Sequence, residues 1–257
     1  MLRGVRVLDL TRVLAGPVAT RFLAGFGAEV LRIDPPGWGE PGLVPEMTLG
    51  KLCARLDLRS PRDRAVFEGL LAQADVLMHG YRPGALEGLG LDAARRHSLR
   101  PGLVDVSLDA YGWSGPWQGR RGFDSLVQMS CGIADAGMAG LGRDRPTPLP
   151  VQALDHATSY IMAAAVLRGL TGRLATRRGS TVRTSLAGNA ALLVGMPAGR
   201  PVPLAPETPG DLADTTEATA WGTARRLRPP CDVEDAPMRW RRPATPLGSA
   251  APAWAAG

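Results

Sequence analysis

The 257-residue sequence has one lysine, three histidines and three cysteines, and only 5% of it is aromatic. Each scarcity removes a class of function. Cys53, Cys131 and Cys231 are an odd number, far apart and without a CxxC pair, so no disulfide framework is expected. With only His79, His97 and His156 beside them, no set has zinc-ligand spacing, and no metal is expected. Few aromatics leave little for stacking bases, so nucleic acid is not an expected partner. No apolar run approaches the roughly 18 residues that span a bilayer, Ile161–Leu170 being broken by Arg168, so no membrane partner is expected either. Met1-Leu2-Arg3-Gly4-Val5 runs straight into a strand pattern with no signal core, which points to a cytoplasmic protein.

The glycine signatures are also incomplete. Gly25-Phe26-Gly27 lacks the third glycine of a dinucleotide fingerprint, and no GxxxxGK[ST] loop occurs. Gly112-Trp113-Ser114-Gly115-Pro116 has its second glycine one place early for a hydrolase elbow.

What is present is an ordinary globular composition, 45% hydrophobic and 21% charged, with a net charge of +6 carried almost wholly by arginine. Arginine forks suit phosphate oxygens, and they equally suit solvated faces. Strand patterns at Val5–Leu10, Glu29–Asp34, Arg55–Leu58, Asp75–Met78, Leu103–Leu108 and Thr181–Leu186 alternate with helical ones. The helical stretches are Val18–Phe26, Ala65–Ala74, Asp124–Met138, Asp155–Leu170 and a short one reaching about Val194. This alternation predicts an α/β fold, a Rossmann-like open parallel sheet with helices on both faces. Ligands of such sheets sit at the carboxyl ends of the strands, here the loops Thr11–Pro17, Pro35–Glu40, His79–Pro83 and Asp109–Pro116. Residues 1–197 read as one domain. Residues 198–257 hold 10 of the 23 prolines and little periodicity, so they read as a segment that packs back on the domain or is partly disordered.

Several blocks recur in a telling order: Asp9-Leu10-Thr11-Arg12-Val13-Leu14-Ala15-Gly16-Pro17, Gly27-Ala28-Glu29-Val30, Leu56-Asp57-Leu58-Arg59-Ser60-Pro61 and His79-Gly80-Tyr81-Arg82-Pro83-Gly84-Ala85-Leu86. Tyr111-Gly112-Trp113-Ser114-Gly115-Pro116, Gly122-Phe123-Asp124 and Leu154-Asp155-His156-Ala157-Thr158 follow. With these blocks residues 3–195 resemble the class III CoA-transferases, the CaiB/BaiF type. Ala236-Pro237-Met238-Arg239-Trp240 with Pro246-Leu247-Gly248 is similar to that family's C-terminal motif.

The resemblance implies transfer of CoA between carboxylic acids, with acyl-CoA and carboxylate substrates, coenzyme A as the carrier, and an interlocked dimer. It makes Asp155 the catalytic carboxylate, forming first an acyl anhydride and then a CoA thioester. By spacing alone Asp155 reads first as the N-cap of the following helix. The resemblance also assigns Val13, Leu14, Ala15, Leu56, Arg59, Tyr81, Arg82 and Ala85 to CoA. From the residues alone, Arg59 and Arg82 are equally solvated surface arginines, and Val13 and Leu56 are plain core. Two departures stand out. Phe123 occupies the place of the histidine that racemases of this fold pair with the aspartate. The chain is also short for the family: most of the small domain and its glycine-rich loop have no counterpart, so activity depends on a partner supplying them. The alternative reading is therefore a catalytically weak or inactive CoA-binding subunit, or truncated paralogue, that works in complex with a longer partner.

Overall fold

A computed structural model of the chain describes residues 1–197 and 205–255. Strands β1 (Arg6–Leu10), β2 (Glu29–Asp34), β3 (Lys51–Arg55), β4 (Val76–His79), β5 (Val104–Asp109) and β6 (Ser180–Ser185) form one parallel sheet in the order β3-β2-β1-β4-β5-β6. The expected Rossmann-like architecture is present. Helices α1 (Ala15–Gly25), α2 (Val44–Met47), α3 (Pro61–Leu71) and α4 (Ala93–Leu99) connect the first five strands. Then α5 (Asp124–Ser130), α6 (Ile133–Gly140) and the long α7 (Ala153–Thr176) lead into β6, and α8 (Leu186–Gly195) follows it.

Parallel strands covered on both faces must be apolar on both. Register puts Val7 beside Val30 and Val76, and these residues with Met78, Val104 and Val106 face α1, α7 and α8. The alternate residues Leu8, Leu31, Ile33 and Leu77 face Phe67, Leu70 and Leu71 of α3. The sequence therefore encodes a three-layer α/β/α body with two cores.

Several element boundaries differ from the sequence reading. The third strand is Lys51–Arg55 and not residues 55–58. Its first residue is a lysine buried to 0% exposure, whose Nζ donates to Asp9 Oδ2 (2.9 Å), the Pro17 carbonyl (2.9 Å) and Thr20 Oγ1 (2.6 Å). A strand that opens on a buried charge carries no apolar signal at its start. The helical stretch read over 124–138 is two helices, because Gly132 turns left-handed at φ 81° and ends α5. Helix α7 also begins two residues before Asp155, at Ala153.

The boundary read at residue 198 lies outside the described residues. Beyond it, β7 (Leu212–Thr219) and β8 (Gly222–Leu227) form an antiparallel hairpin. The chain then recrosses the body. Met238, Trp240 and Ala244 enter the first core, and main-chain bonds tie Arg239 to Gly25 (2.7 Å), Gly50 to Arg242 (3.2 Å) and Ala250 to Cys53 (2.8 Å). Glycine is required where Trp240 lies: a Cβ on Gly50, at φ +81°, would sit 2.7 Å from the indole. Among the described residues no helix is long and apolar enough to cross a membrane, and no three His, Cys, Asp or Glu side chains are grouped to hold a metal ion.

Candidate active site

At the carboxyl ends of the strands, the loops after β1, β2, β4 and β5 meet the first turns of α7 and α8 around a pocket of about 220 Å3. Its floor is apolar, with Leu10, Leu108, Ala110 and Leu186. The β1–α1 loop forms one wall and is built under strain. Val13 has φ 66°, a conformation a β-branched residue rarely adopts. Glu40 holds it there. One oxygen of its carboxylate accepts the Val13 N–H at 2.9 Å and the Trp38 indole N–H at 3.2 Å, while Arg32 binds the other at 2.5 Å.

Beneath this loop lies a buried polar cluster. Asp9 Oδ1 accepts the Thr11 N–H (2.9 Å) and hydroxyl (2.5 Å), and Oδ2 accepts from Thr20 and Lys51. Burial alone would raise the Asp9 pKa, but Lys51 and Arg32 beside it hold the carboxyl below the ordinary range. Gly16 completes the fit: a Cβ there would fall 2.2 Å from that of Thr11. The cluster fixes where Thr11 to Ala15 enter the pocket.

Asp155 lies opposite, in the first turn of α7. Gln152 is the N-cap residue, so Asp155 is inside the helix and does not cap it. Its side chain is 8% exposed, lines the pocket and makes no hydrogen bond among the described residues. Its backbone N–H donates to Asp124 Oδ2 at 2.9 Å. Burial, with the Asp124 carboxylate adding to it, pushes the Asp155 carboxyl up to about 7. A place in the first turn of a helix favours the ionised form, but the cost of desolvation in this apolar hollow outweighs the helix dipole.

The pocket therefore unites Val13, Leu14, Ala15, Tyr81 and Asp155 of the residues singled out by sequence. It does not include the other four. Leu56 is buried in the second core, Arg82 and Ala85 lie further along the loop after β4, and Arg59 is exposed, its Nε bonded to Asp57 at 2.9 Å. Sequence reasoning did not single out Arg12, Trp38, Gly80, Asp109 or Leu186, which also line the pocket. Arg12 was inside a quoted block and Trp38 inside a loop at the ligand-binding edge, so position signalled both while residue type did not. His156 is exposed and outside the pocket, whereas Phe123 is in its wall.

Residues 2–215 match the model of CoA-transferase family III. The succinyl-CoA–D-citramalate CoA-transferase of Chloroflexus aurantiacus is 32% identical over 194 residues, 70% of this chain and 48% of that protein. The succinyl-CoA:glutarate CoA-transferase of Mus musculus is 32% identical over 198 residues, 72% of this chain and 45% of its own. Among solved structures, Rv3272 of Mycobacterium tuberculosis superposes with a TM-score of 0.69 at 33% identity, covering 75% of this chain and 57% of that one. A CaiB/BaiF family protein from Brucella suis gives a TM-score of 0.69 at 25% identity, over 86% of this chain and 64% of the other. The chain thus spans about half the length of the curated relatives it matches.

Proposed function

This chain belongs to CoA-transferase family III, and on that premise we propose that it moves coenzyme A between carboxylic acids with Asp155 as the nucleophile. The observation that carries the reading is an unbonded, buried carboxylate in the wall of an apolar pocket at the ligand-binding edge of the sheet. An Asp155 oxygen attacks the thioester carbonyl of an acyl-CoA, the C–S bond breaks, and an aspartyl–acyl anhydride and CoA thiolate result. The thiolate then attacks the aspartyl carbon of the anhydride, releasing the first acid and leaving an aspartyl-CoA thioester. The carboxylate of a second acid repeats the sequence in reverse and carries CoA away. A carboxylate poorly hydrated by an apolar wall is a stronger nucleophile than one in water, and a titration near 7 keeps a sizeable ionised fraction at neutral pH. No histidine lines the pocket among the described residues, which favours transfer over epimerisation, a reaction that needs two opposed bases.

A pocket of about 220 Å3 holds the reacting end of the substrate and not the nucleotide. The nucleotide of CoA extends beyond it, toward Leu56, Arg59, Arg82 and Ala85. An alpha subunit of a succinyl-CoA–L-malate CoA-transferase of Chloroflexus aurantiacus is 33% identical over 196 residues, which supports a second reading: a CoA-binding unit that works beside a longer homologue, or a homodimer in which each copy completes the other's site. Intact mass after incubation with acyl-CoA separates the two. An adduct of acyl or CoA mass, lost in Asp155→Ala while CoA binding persists by calorimetry, supports catalysis by this chain. CoA binding without an adduct supports the second reading.

A further inference from the structure

Buried or half-buried arginines in this protein are given carboxylate or main-chain carbonyl partners, Arg55 donating to the Pro35 carbonyl and Arg64 to that of Leu89. Arg32 binds Asp34 and Glu40, Arg96 binds Asp105, and Arg173 binds Asp75. Arg12 has none among the described residues. Its guanidinium carbon lies 4.7 Å from the centre of the Trp38 ring and 5.1 Å from that of Tyr81, and Nη2 donates to the Tyr81 hydroxyl at 2.9 Å. Its Nε is buried with no hydrogen-bond partner. The nearby acid Glu40 is already engaged by Arg32, Val13 and Trp38. Two aromatic faces and a phenol thus hold a half-buried cation in place without neutralising it, and a buried donor left unpaired is costly unless a ligand satisfies it.

Among the described residues, Arg12 is also the one cationic side chain in the wall of the pocket that contains Asp155. Strand order sets the two apart. Arg12 stands with Trp38 and Tyr81 over the β2, β1 and β4 side, and Asp155 stands with Phe123 and Leu186 over the β5 and β6 side. An acyl group attached at Asp155 therefore has its far end toward Arg12, in a space sized for a short chain. We propose that Arg12 recognises the distal carboxylate of a short dicarboxylic acyl group, and so sets this chain's preference for dicarboxylyl over monocarboxylyl thioesters. This inference rests on the assignment of Asp155 as the acyl acceptor. A guanidinium fork matches a carboxylate with two parallel hydrogen bonds, whereas a methyl terminus would leave the donors unpaired.

The test compares succinyl-CoA with butyryl-CoA, which differ in the terminal group and share every atom of the CoA moiety. The wild type is expected to favour succinyl-CoA in kcat/KM by at least about tenfold, and Arg12→Gln is expected to lower that ratio at least about tenfold. Arg12→Lys, which keeps the charge and loses the fork, is expected to fall between them, and it serves as the informative variant should the glutamine protein not fold. No preference in the wild type, or equal losses for both thioesters, would overturn the proposal and place Arg12 on the shared CoA portion. If neither thioester is turned over, the transferase reading fails, and calorimetry with free succinate and butyrate then decides about Arg12 alone. Succinate bound more tightly by the wild type, with that difference lost in the variant, upholds the proposal. Indifferent binding of the two acids overturns it.

Discussion

The main-chain N–H of Asp155 donates to Oδ2 of Asp124 at 2.9 Å, so the first turn of α7 is anchored on the carboxylate that opens α5. The bond positions Asp155 and also places a second negative charge beside its carboxyl. Desolvation is the larger of the two effects that raise Asp155 to about 7, and Asp124 is the smaller.

If ionised Asp155 is the nucleophile, kcat/KM should rise with pH through a midpoint near 7 and level off above it. Asp124→Asn keeps an acceptor for the Asp155 N–H but removes the charge, so the midpoint should move down by less than about one pH unit. A pH–rate profile of the two proteins checks this. A profile flat from pH 5 to 8 would show that the rate does not depend on this carboxyl.

The same carboxyl should make the fold pH-sensitive. A group raised from 3.8 unfolded to about 7 folded holds its proton more tightly in the native state. Its contribution is full below pH 4 and is lost as pH rises through 7, by up to about 4 kcal/mol. Asp155→Asn, which cannot ionise, should therefore exceed the wild type in stability by about 2–3 kcal/mol more at pH 8 than at pH 5, while losing activity. Urea denaturation at the two pH values measures the difference. Equal gaps at both would mean that Asp155 is not buried as an ion.

The six-strand fold was legible because β1, β2, β4 and β5 are short aliphatic-rich segments alternating with helical patterns, even though Asp9, Arg32, Asp105 and Ser107 interrupt them. Lys51 was not legible as a strand residue, since a lone lysine next to Gly50 reads as a solvated turn until Asp9, Pro17 and Thr20 are brought around it. Asp155 is legible only through a block of neighbours, and it lies in the wall of the pocket. Arg12 does not stand out in the sequence because arginine is the commonest charge in the chain, and only the lack of any carboxylate or carbonyl acceptor among the described residues distinguishes it. Gly132 hid the break between α5 and α6, because one glycine inside an apolar periodicity does not show that its φ is positive.

The buried cluster below the β1–α1 loop predicts a large effect from a single change. Lys51→Met preserves most of the side-chain volume and removes the nearest cation from the fully buried Asp9. An ion left unpaired in this way costs about 3–5 kcal/mol. The double variant Lys51→Met with Asp9→Leu should recover part of that loss, because no charge then remains to be solvated. Chemical denaturation of the two variants decides the matter, and a single-variant loss below about 1 kcal/mol would mean that water reaches Asp9.

The final prediction concerns the C-terminal segment, whose proline density gives it no core of its own. Trp240 is 8% exposed, its indole N–H donates to the Arg21 carbonyl at 2.8 Å, and it fills the space left by Gly50. It therefore clamps the segment onto α1, the helix that carries the pocket loop at its N-terminal end. Trp240→Ala should cost about 3–5 kcal/mol, as deletion of a large buried aromatic does. Trp240→Phe, which keeps much of the apolar surface and loses the hydrogen bond, should cost less. Gly50→Ala should mimic the loss from the other side, because the added methyl meets the ring at a position where φ is also positive. Thermal unfolding with limited proteolysis tests the set. If Trp240→Ala leaves the melting temperature unchanged while the segment becomes protease-sensitive, the segment is an appendage and the α/β body folds without it. A single cooperative transition shifted down in all three variants would show that the segment and the sheet are one folding unit.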